Sequence, residues 1–169
     1  MYKILYNYLI FVTVVILEHL KYQNKLLINN DFTVSFKINI FNESCRKNLP
    51  RQRIINTIKK ILFDENVSVA LINIIFINNK TMKQINRQYL NHNYATDVIS
   101  FCIEENPIEC EIYVSAEIAR TNAIEYKTTW TEELMRYVIH GILHIVGHND
   151  FSFFEKEKMR NLEDKYLVI

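Results

Sequence analysis

The sequence predicts an α+β domain in which a small, mixed, four-stranded sheet packs with about five helices. Segments with strand and helix patterns follow one another in the order β-α-β-α-β-β-α-α-α. The chain has 169 residues, of which 49% are hydrophobic and 23% charged, a composition typical of one globular domain.

Four segments carry strand patterns. The first has apolar residues that alternate with polar ones over most of its length, as in a half-buried strand: Phe32, Val34, Phe36, Ile38 and Ile40. Residues 67–77 are rich in β-branched side chains and predict a buried strand. Two short strands are predicted at residues 96–101 and 111–114.

Five segments carry helix patterns. Pro50 can open the first helix, and apolar residues continue it at helical spacing: Ile54, Ile55, Ile58, Ile61 and Leu62. An apolar stripe predicts the second helix over residues 80–90. Ser115 can cap a third helix over residues 116–126, and the fifth covers residues 154–166.

The fourth helix is predicted to be central. Thr129 and Glu132 have the spacing of a capping box at its start, and Gly147 offers it an end. His140 and His144 lie four residues apart, so both imidazoles share one face, one turn apart. Four apolar residues are the candidates for its core-facing side: Leu134, Val138, Ile142 and Leu143.

The histidine pair predicts a metal site. A lone histidine on an apolar helix face is usually a core residue, but two at this spacing each need a partner once buried. Gly141 costs about 1 kcal/mol relative to alanine inside a helix, which indicates a close approach to the backbone there. With His148 and Asp150 beyond the turn, we favour one zinc ion with an open position over two structural histidines. Manganese and nickel also suit nitrogen and oxygen ligands.

The third ligand has two candidates. Asp150, six residues after His144, suits a chain that leaves the helix and returns, and we prefer it. His148 is the alternative, and otherwise supports the site or faces the substrate. An open coordination position predicts hydrolysis. Gly141 stands where many zinc peptidases have their glutamate base, which disfavours a peptidase.

The charge balance excludes a global attraction to nucleic acid. Net charge is +1, from 20 basic and 19 acidic residues, so a polyanionic ligand would need a local basic groove. Lys80, Lys83 and Arg87 share one helix face, and Lys59 and Lys60 lie on another helix. These residues are candidates for contacts to a nucleic-acid backbone, although a solvated helix face has the same pattern.

The cysteines and the N-terminal residues give information on the cellular location of the protein. The three cysteines form no CxxC pair, which fits a reducing cytosol and predicts a cytoplasmic protein. Residues 8–17 form an apolar run that is shorter than the ~20 residues of a spanning helix. No small-residue cleavage site follows the run. We expect an extra packed element or an artefact of the start site, and no stable membrane association.

Two sequence blocks carry a family resemblance. Residues 140–150 read HGILHIVGHND and resemble the signature H-G-x-L-H-L-x-G-[YH]-D-H of the bacterial endoribonuclease YbeY family. Upstream, INRQY at 85–89 and TDVISF at 96–101 resemble that family's L-N-x-x-Y and P-T-D-V-L-S-F block. The resemblance extends from about residue 31 to the C-terminus. It implies a single domain over residues 31–169 and leaves residues 1–30 outside it as an apolar N-terminal extension.

The resemblance implies a single-domain, zinc-dependent endoribonuclease. It implies cleavage of single-stranded RNA, maturation of the 3′ end of 16S rRNA and late-stage ribosome quality control, with rRNA and the small ribosomal subunit as partners. His140 and His144 match the first two zinc ligands, and Asp150 stands where the family usually has a third histidine. Beyond the metal's water, His148 is a candidate for acting on the leaving group or contacting RNA.

Several positions depart from the family pattern. Leu90 stands where the family usually has an arginine, a natural phosphate contact that Arg87 or Arg120 could replace. Lys83, Arg87 and Arg120 are therefore the RNA-contact candidates. The other departures are His92, Asn93, Ala95, Cys110 and Glu111. The Leu90 departure leaves open a ribosome-assembly binding factor whose zinc is only structural. A zinc peptidase is the weaker alternative, disfavoured by Gly141.

Overall fold

The computed structural model describes residues 34–44 and 48–168. The elements follow the predicted order, which is thereby confirmed: β1 (Ser35–Asn42), α1 (Arg51–Asp64), β2 (Val69–Ile77), α2 (Asn79–Leu90), β3 (Val98–Glu105), β4 (Ile108–Ser115), α3 (Ala116–Glu125), α4 (Trp130–Ile145) and α5 (Phe153–Leu167). The apolar run at 8–17 and the expected domain boundary at residues 30 and 31 lie outside the described residues. Within the described part, no helix is both long and apolar enough to cross a membrane.

The four strands form one mixed sheet in the order β1-β2-β4-β3. β1 and β4 both pair with β2 in parallel, whereas β3 pairs with β4 as an antiparallel hairpin. The α+β class and the four-stranded mixed sheet are therefore as predicted. β3 lies at one edge of the sheet and β1 at the other.

Helices cover both faces of the sheet. Alternate residues of β2 enter two different apolar clusters, because successive strand side chains point to opposite faces. Ile72 and Ile74 join the large cluster, to which α1, α3, α4 and α5 contribute. Ile75 and Ile77 join a small cluster beneath Met82 of α2. Helix α2 therefore lies across the sheet from α4.

The β3–β4 hairpin is longer than predicted. The sequence predicted strands at 96–101 and 111–114, whereas the hairpin extends to Glu105 and resumes at Ile108. The outer half of β3 is exposed on both faces, so it carries no alternation of apolar and polar residues. Backbone pairing between the two strands holds this half in place without a buried face.

Helix α4 packs directly on the sheet. Its predicted capping box is present: the Thr129 hydroxyl accepts from the Glu132 amide at 3.2 Å, and the Glu132 carboxylate accepts from the Thr129 amide at 2.8 Å. The four predicted core residues of this helix are fully buried. A Cβ at Gly141 would lie 2.8 Å from Cγ2 of Ile112 and 2.9 Å from Oγ of Ser100. The predicted close approach is thus to the sheet itself.

Candidate metal centre

A tight reversal ends helix α4. Gly147 adopts a φ of +98°, a conformation that favours glycine. Its amide donates to the carbonyl of His144 at 3.0 Å, and the amide of His148 donates to the carbonyl of Leu143 at 2.9 Å. These two bonds satisfy the last carbonyls of the helix and turn the chain back. The turn returns Asp150 toward the histidines.

The structure brings three predicted residues together. His140, His144 and Asp150 each offer one ligand atom, and these atoms all lie within 4.8 Å of one another. The two Nε2 atoms are 2.9 Å apart. Asp150 places one carboxylate oxygen 3.8 Å from Nε2 of His144 and the other 4.0 Å from Nε2 of His140. All three residues are half-buried, so the group remains open on one side.

The hydrogen bonds of the imidazoles orient them for a metal. Nδ1 of His140 donates to Oε1 of Glu163 at 2.7 Å, and Nδ1 of His144 donates to the carbonyl of His148 at 2.9 Å. In a neutral ring this leaves Nε2 without a hydrogen. Two lone pairs 2.9 Å apart repel each other unless a proton or a metal cation lies between them. The donor set therefore fits a divalent ion such as zinc.

Glu163 on α5 is the supporting residue that the sequence analysis missed. It is 8% exposed, and Oε2 accepts from Nη1 of Arg136 at 3.0 Å. Arg136 also pairs with Asp164 at 2.8 Å. Met159 and Tyr166 are buried on the same helix, four residues before and three after Glu163. A carboxylate inside that apolar stripe was the signal that could have revealed it.

Opposing effects act on the pKa of His140. Burial lowers it, but the hydrogen bond from Nδ1 to Glu163 and the negative charges of Glu163, Asp97 and Asp150 outweigh burial. The pKa of His140 therefore lies above its usual value of 6.5. The site attracts positive charge, and a divalent ion bound there would compete with the proton for the imidazole.

The remaining candidate residues lie elsewhere. Nε2 of His148 is 3.0 Å from Oε1 of Glu65, the residue that follows α1, so this imidazole is engaged outside the three-residue group. Lys83 and Arg87 are exposed on α2, across the sheet from α4, and Arg120 is exposed on α3. Within the described residues, none of the three cations pairs with the histidines or with Asp150.

An open cleft of about 660 Å³ borders the candidate metal-ligand group, which consists of His140, His144 and Asp150. His140 and Asp150 form part of its wall. Helix α5 supplies Phe153, Lys156 and Arg160 to the same wall. The cleft gives an extended ligand access to the open side of the group.

The family model for endoribonuclease YbeY matches residues 37–168. This chain belongs to the endoribonuclease YbeY family. The expected membership is thus confirmed, and the match covers β2, β3, β4, all but the first two residues of β1, and all five described helices. The match includes the two histidines, Asp150 and the helix that carries Glu163.

Relatives from several bacteria agree with this membership. The chain is 39% identical over 127 residues to endoribonuclease YbeY of Chlorobium chlorochromatii, covering 75% of this chain and 81% of the relative. It is 42% identical to that of Flavobacterium psychrophilum, covering 68% and 83%. The solution structure of TM1509 from Thermotoga maritima matches with a TM-score of 0.56 and 28% identity, covering 77% and 86%.

Proposed function

We propose that this chain is a zinc-dependent endoribonuclease that hydrolyses phosphodiester bonds in single-stranded RNA. His140, His144 and Asp150 would hold one zinc ion and leave a position open to the cleft. The observation that carries the proposal is the pair of Nε2 atoms in a member of an endoribonuclease family. They lie 2.9 Å apart, and each is within 4.0 Å of a carboxylate oxygen of Asp150.

The chain's own residues set the geometry of the reaction. Glu163 and the carbonyl of His148 hold the two imidazoles in their ligand tautomers. When bound, a zinc ion with three protein ligands supplies a Lewis acid that lowers the pKa of a coordinated water and offsets charge on the phosphate. Asp150 makes the ligand set one charge more negative than three histidines would.

Two nucleophiles are consistent with the site. Gly141 stands beside His140 where zinc peptidases carry a glutamate base, so the site has no separate base at that position. Water and the RNA 2′-hydroxyl are the alternatives. The products distinguish them, because a 2′,3′-cyclic phosphate forms only when the 2′-hydroxyl attacks.

The cellular role follows from the family resemblance. We extend the proposal to 3′-end maturation of 16S rRNA and late-stage ribosome quality control in the cytoplasm, with the small ribosomal subunit as partner. The names of the relatives support RNA as the substrate. They do not favour a non-catalytic assembly factor, for which RNA binding without cleavage would persist in His144→Ala.

Metal-dependent cleavage tests the proposal. The full chain is stripped with a chelator, reloaded with Zn²⁺, Mn²⁺ or Ni²⁺, and assayed on end-labelled single-stranded RNA, the matching duplex and a peptide. We expect cleavage of the single strand alone, and only with metal. His144→Ala should lose cleavage, whereas the exposed control His92→Ala should keep it. Intact RNA under every metal condition would refute the proposed activity.

Substitutions at Asp150 test the third ligand. Asp150→Ala should lower the zinc affinity, and Asp150→His should largely restore it, because imidazole is also a zinc ligand. Zinc affinity is measured by competition with a chromophoric chelator. An unchanged affinity in Asp150→Ala would exclude Asp150 and direct attention to His148, whose own alanine variant is measured in parallel.

A further inference from the structure

Three strongly exposed phenylalanines lie beside the metal-ligand group. Phe151, Phe153 and Phe154 are 83%, 77% and 80% exposed. The rings of Phe153 and Phe154 contact each other edge to face, with centroids 5.9 Å apart. None of the three belongs to either apolar cluster of the described fold. Packing of the domain therefore does not account for them, and a cluster of exposed aromatic rings indicates a binding surface.

One face of α5 joins this cluster to the metal-ligand group. Phe153, Lys156 and Arg160 follow one another at i, i+3 and i+7, so they share one side of the helix. The three line the same cleft as His140 and Asp150. Seven residues of helix span about 10 Å, so this face forms an extended wall that leads to the metal-ligand group.

The charge of this wall suits a polyanion. Within the described residues, the side chains of Lys156 and Arg160 form no ion pair, unlike Arg136. Glu157 lines the same cleft and opposes them. The other glutamate of the wall, Glu163, is already paired on both of its oxygens. Once a divalent ion offsets Asp150, the cleft is electropositive.

We propose that this face of α5 binds single-stranded RNA next to the bond that is cut. Phe153, supported by Phe154, stacks on one unpaired base, and Lys156 and Arg160 contact the adjoining phosphates. The inference rests on the proposed function and names the groups that hold its substrate. A purely apolar partner would leave both cations without a role, whereas an RNA strand uses the ring and the cations together.

Stacking on Phe153 also explains a preference for single strands. A base inside a duplex is stacked on both sides and paired along its edge, so an aromatic side chain cannot reach its face. An unpaired base has a free face that can rest on the ring. The aromatic wall therefore selects unpaired nucleotides without reading their sequence.

A double comparison of protein and substrate tests the stacking. Holoenzyme carrying Phe153→Ala or Phe153→Trp is compared with wild type, with Tyr126→Ala as a matched control. Tyr126 is 58% exposed and precedes the start of α4, at the opposite end of that helix from His140 and His144. Each enzyme cleaves one RNA and a set of copies with a single abasic nucleotide at successive positions around the cut. Circular dichroism and zinc content verify each variant.

We expect Phe153→Ala to raise KM between about fivefold and about 150-fold while kcat changes little, which corresponds to losing one stacked base. Phe153→Trp and Tyr126→Ala should stay within threefold of wild type. At one abasic position, Phe153→Ala should add no further loss, because the base it would stack on is already absent. An unchanged KM in Phe153→Ala, or equal losses on every abasic RNA, would overturn the inference.

The proposed phosphate contacts of Lys156 and Arg160 are tested by the salt dependence of RNA binding. Each phosphate contact contributes about 0.7 to the slope of log affinity against log salt for a single strand. The variant carrying Lys156→Gln and Arg160→Gln should therefore lower that slope by about 1.4. The slope is measured by fluorescence polarisation of labelled RNA. An unchanged slope would overturn the phosphate contacts.

The polarisation assay also separates the two proposals. If wild type cuts no RNA under any metal condition, the proposed activity fails. The RNA contact is then judged by binding alone: weaker RNA binding in Phe153→Ala than in wild type supports it, and equal binding overturns it. Sedimentation is measured on the same samples. A self-association that Phe153→Ala abolishes, together with unaltered RNA binding, would show that the wall binds a second copy of the chain and would overturn the RNA contact.

Discussion

Replacing Glu163 by glutamine separates the charge of this residue from its size. The carboxylate is 8% exposed and accepts two charge-assisted bonds, from His140 at 2.7 Å and from Arg136 at 3.0 Å. An amide has one acceptor oxygen and one NH₂ group, so in Glu163→Gln one of the two donors faces another donor. Arg136 retains Asp164 as a partner, whereas Nδ1 of His140 has no second acceptor among the described residues.

The expected loss appears in metal affinity. Residues that hold a ligating histidine typically contribute 10- to 100-fold to affinity, or about 1.4–2.8 kcal/mol. We expect Glu163→Gln to weaken zinc binding by that factor, because His140 loses both the orientation and the basicity that the carboxylate provides. The unfolding free energy should fall by about 1–3 kcal/mol, the cost of a buried donor without a partner.

Competition with a chromophoric chelator measures the zinc affinity, and urea unfolding measures stability. Asp164→Asn is the control: its side chain is 58% exposed, and it pairs with Arg136 without contacting His140. Exposed ion pairs contribute about 0–1 kcal/mol, so this variant should bind zinc as wild type does. Equal zinc affinities in Glu163→Gln and Asp164→Asn would refute the role assigned to Glu163.

Three further outcomes follow from the structure. Gly141→Ala should destabilise the fold by about 1–3 kcal/mol, because its Cβ would lie 2.8 Å from Cγ2 of Ile112. An unchanged midpoint of urea unfolding would contradict this close packing. Lys60 and Lys165 hold the pKa of Asp64 at about 2, below its usual 3.8. Stability from this carboxylate is therefore present above pH 3.8 and lost as the pH falls toward 2, and acid unfolding of Asp64→Asn should lack that component. Removing zinc should lower the melting temperature, since free zinc at 100 times its Kd stabilises a folded site by about 2.7 kcal/mol, and a melting temperature independent of zinc would argue against a bound ion.

Local signals predicted most of the fold. Helix α4 was predicted from the capping box at Thr129 and from its apolar stripe, both of which depend on residues within one or two turns. The outer half of the β3–β4 hairpin was missed, because exposed strand residues such as Glu104 show no alternation. The order of the strands in the sheet was not predicted from the sequence, since it depends on pairings between distant segments.

The candidate site also has one part that the sequence predicted and another that it did not. His140, His144 and the glycine that ends their helix are close in sequence, so spacing alone predicted two ligands, a turn and the return of Asp150. Only the tertiary structure placed Glu163 against His140, 23 residues away on another helix, and paired His148 with Glu65 across 83 residues. Sequence determined what local backbone geometry dictates, namely which helices form and which candidate ligands lie near the same turn. The packing of α5 against α4 decided that Glu163 contacts His140, because contacts between distant segments depend on how whole surfaces fit together.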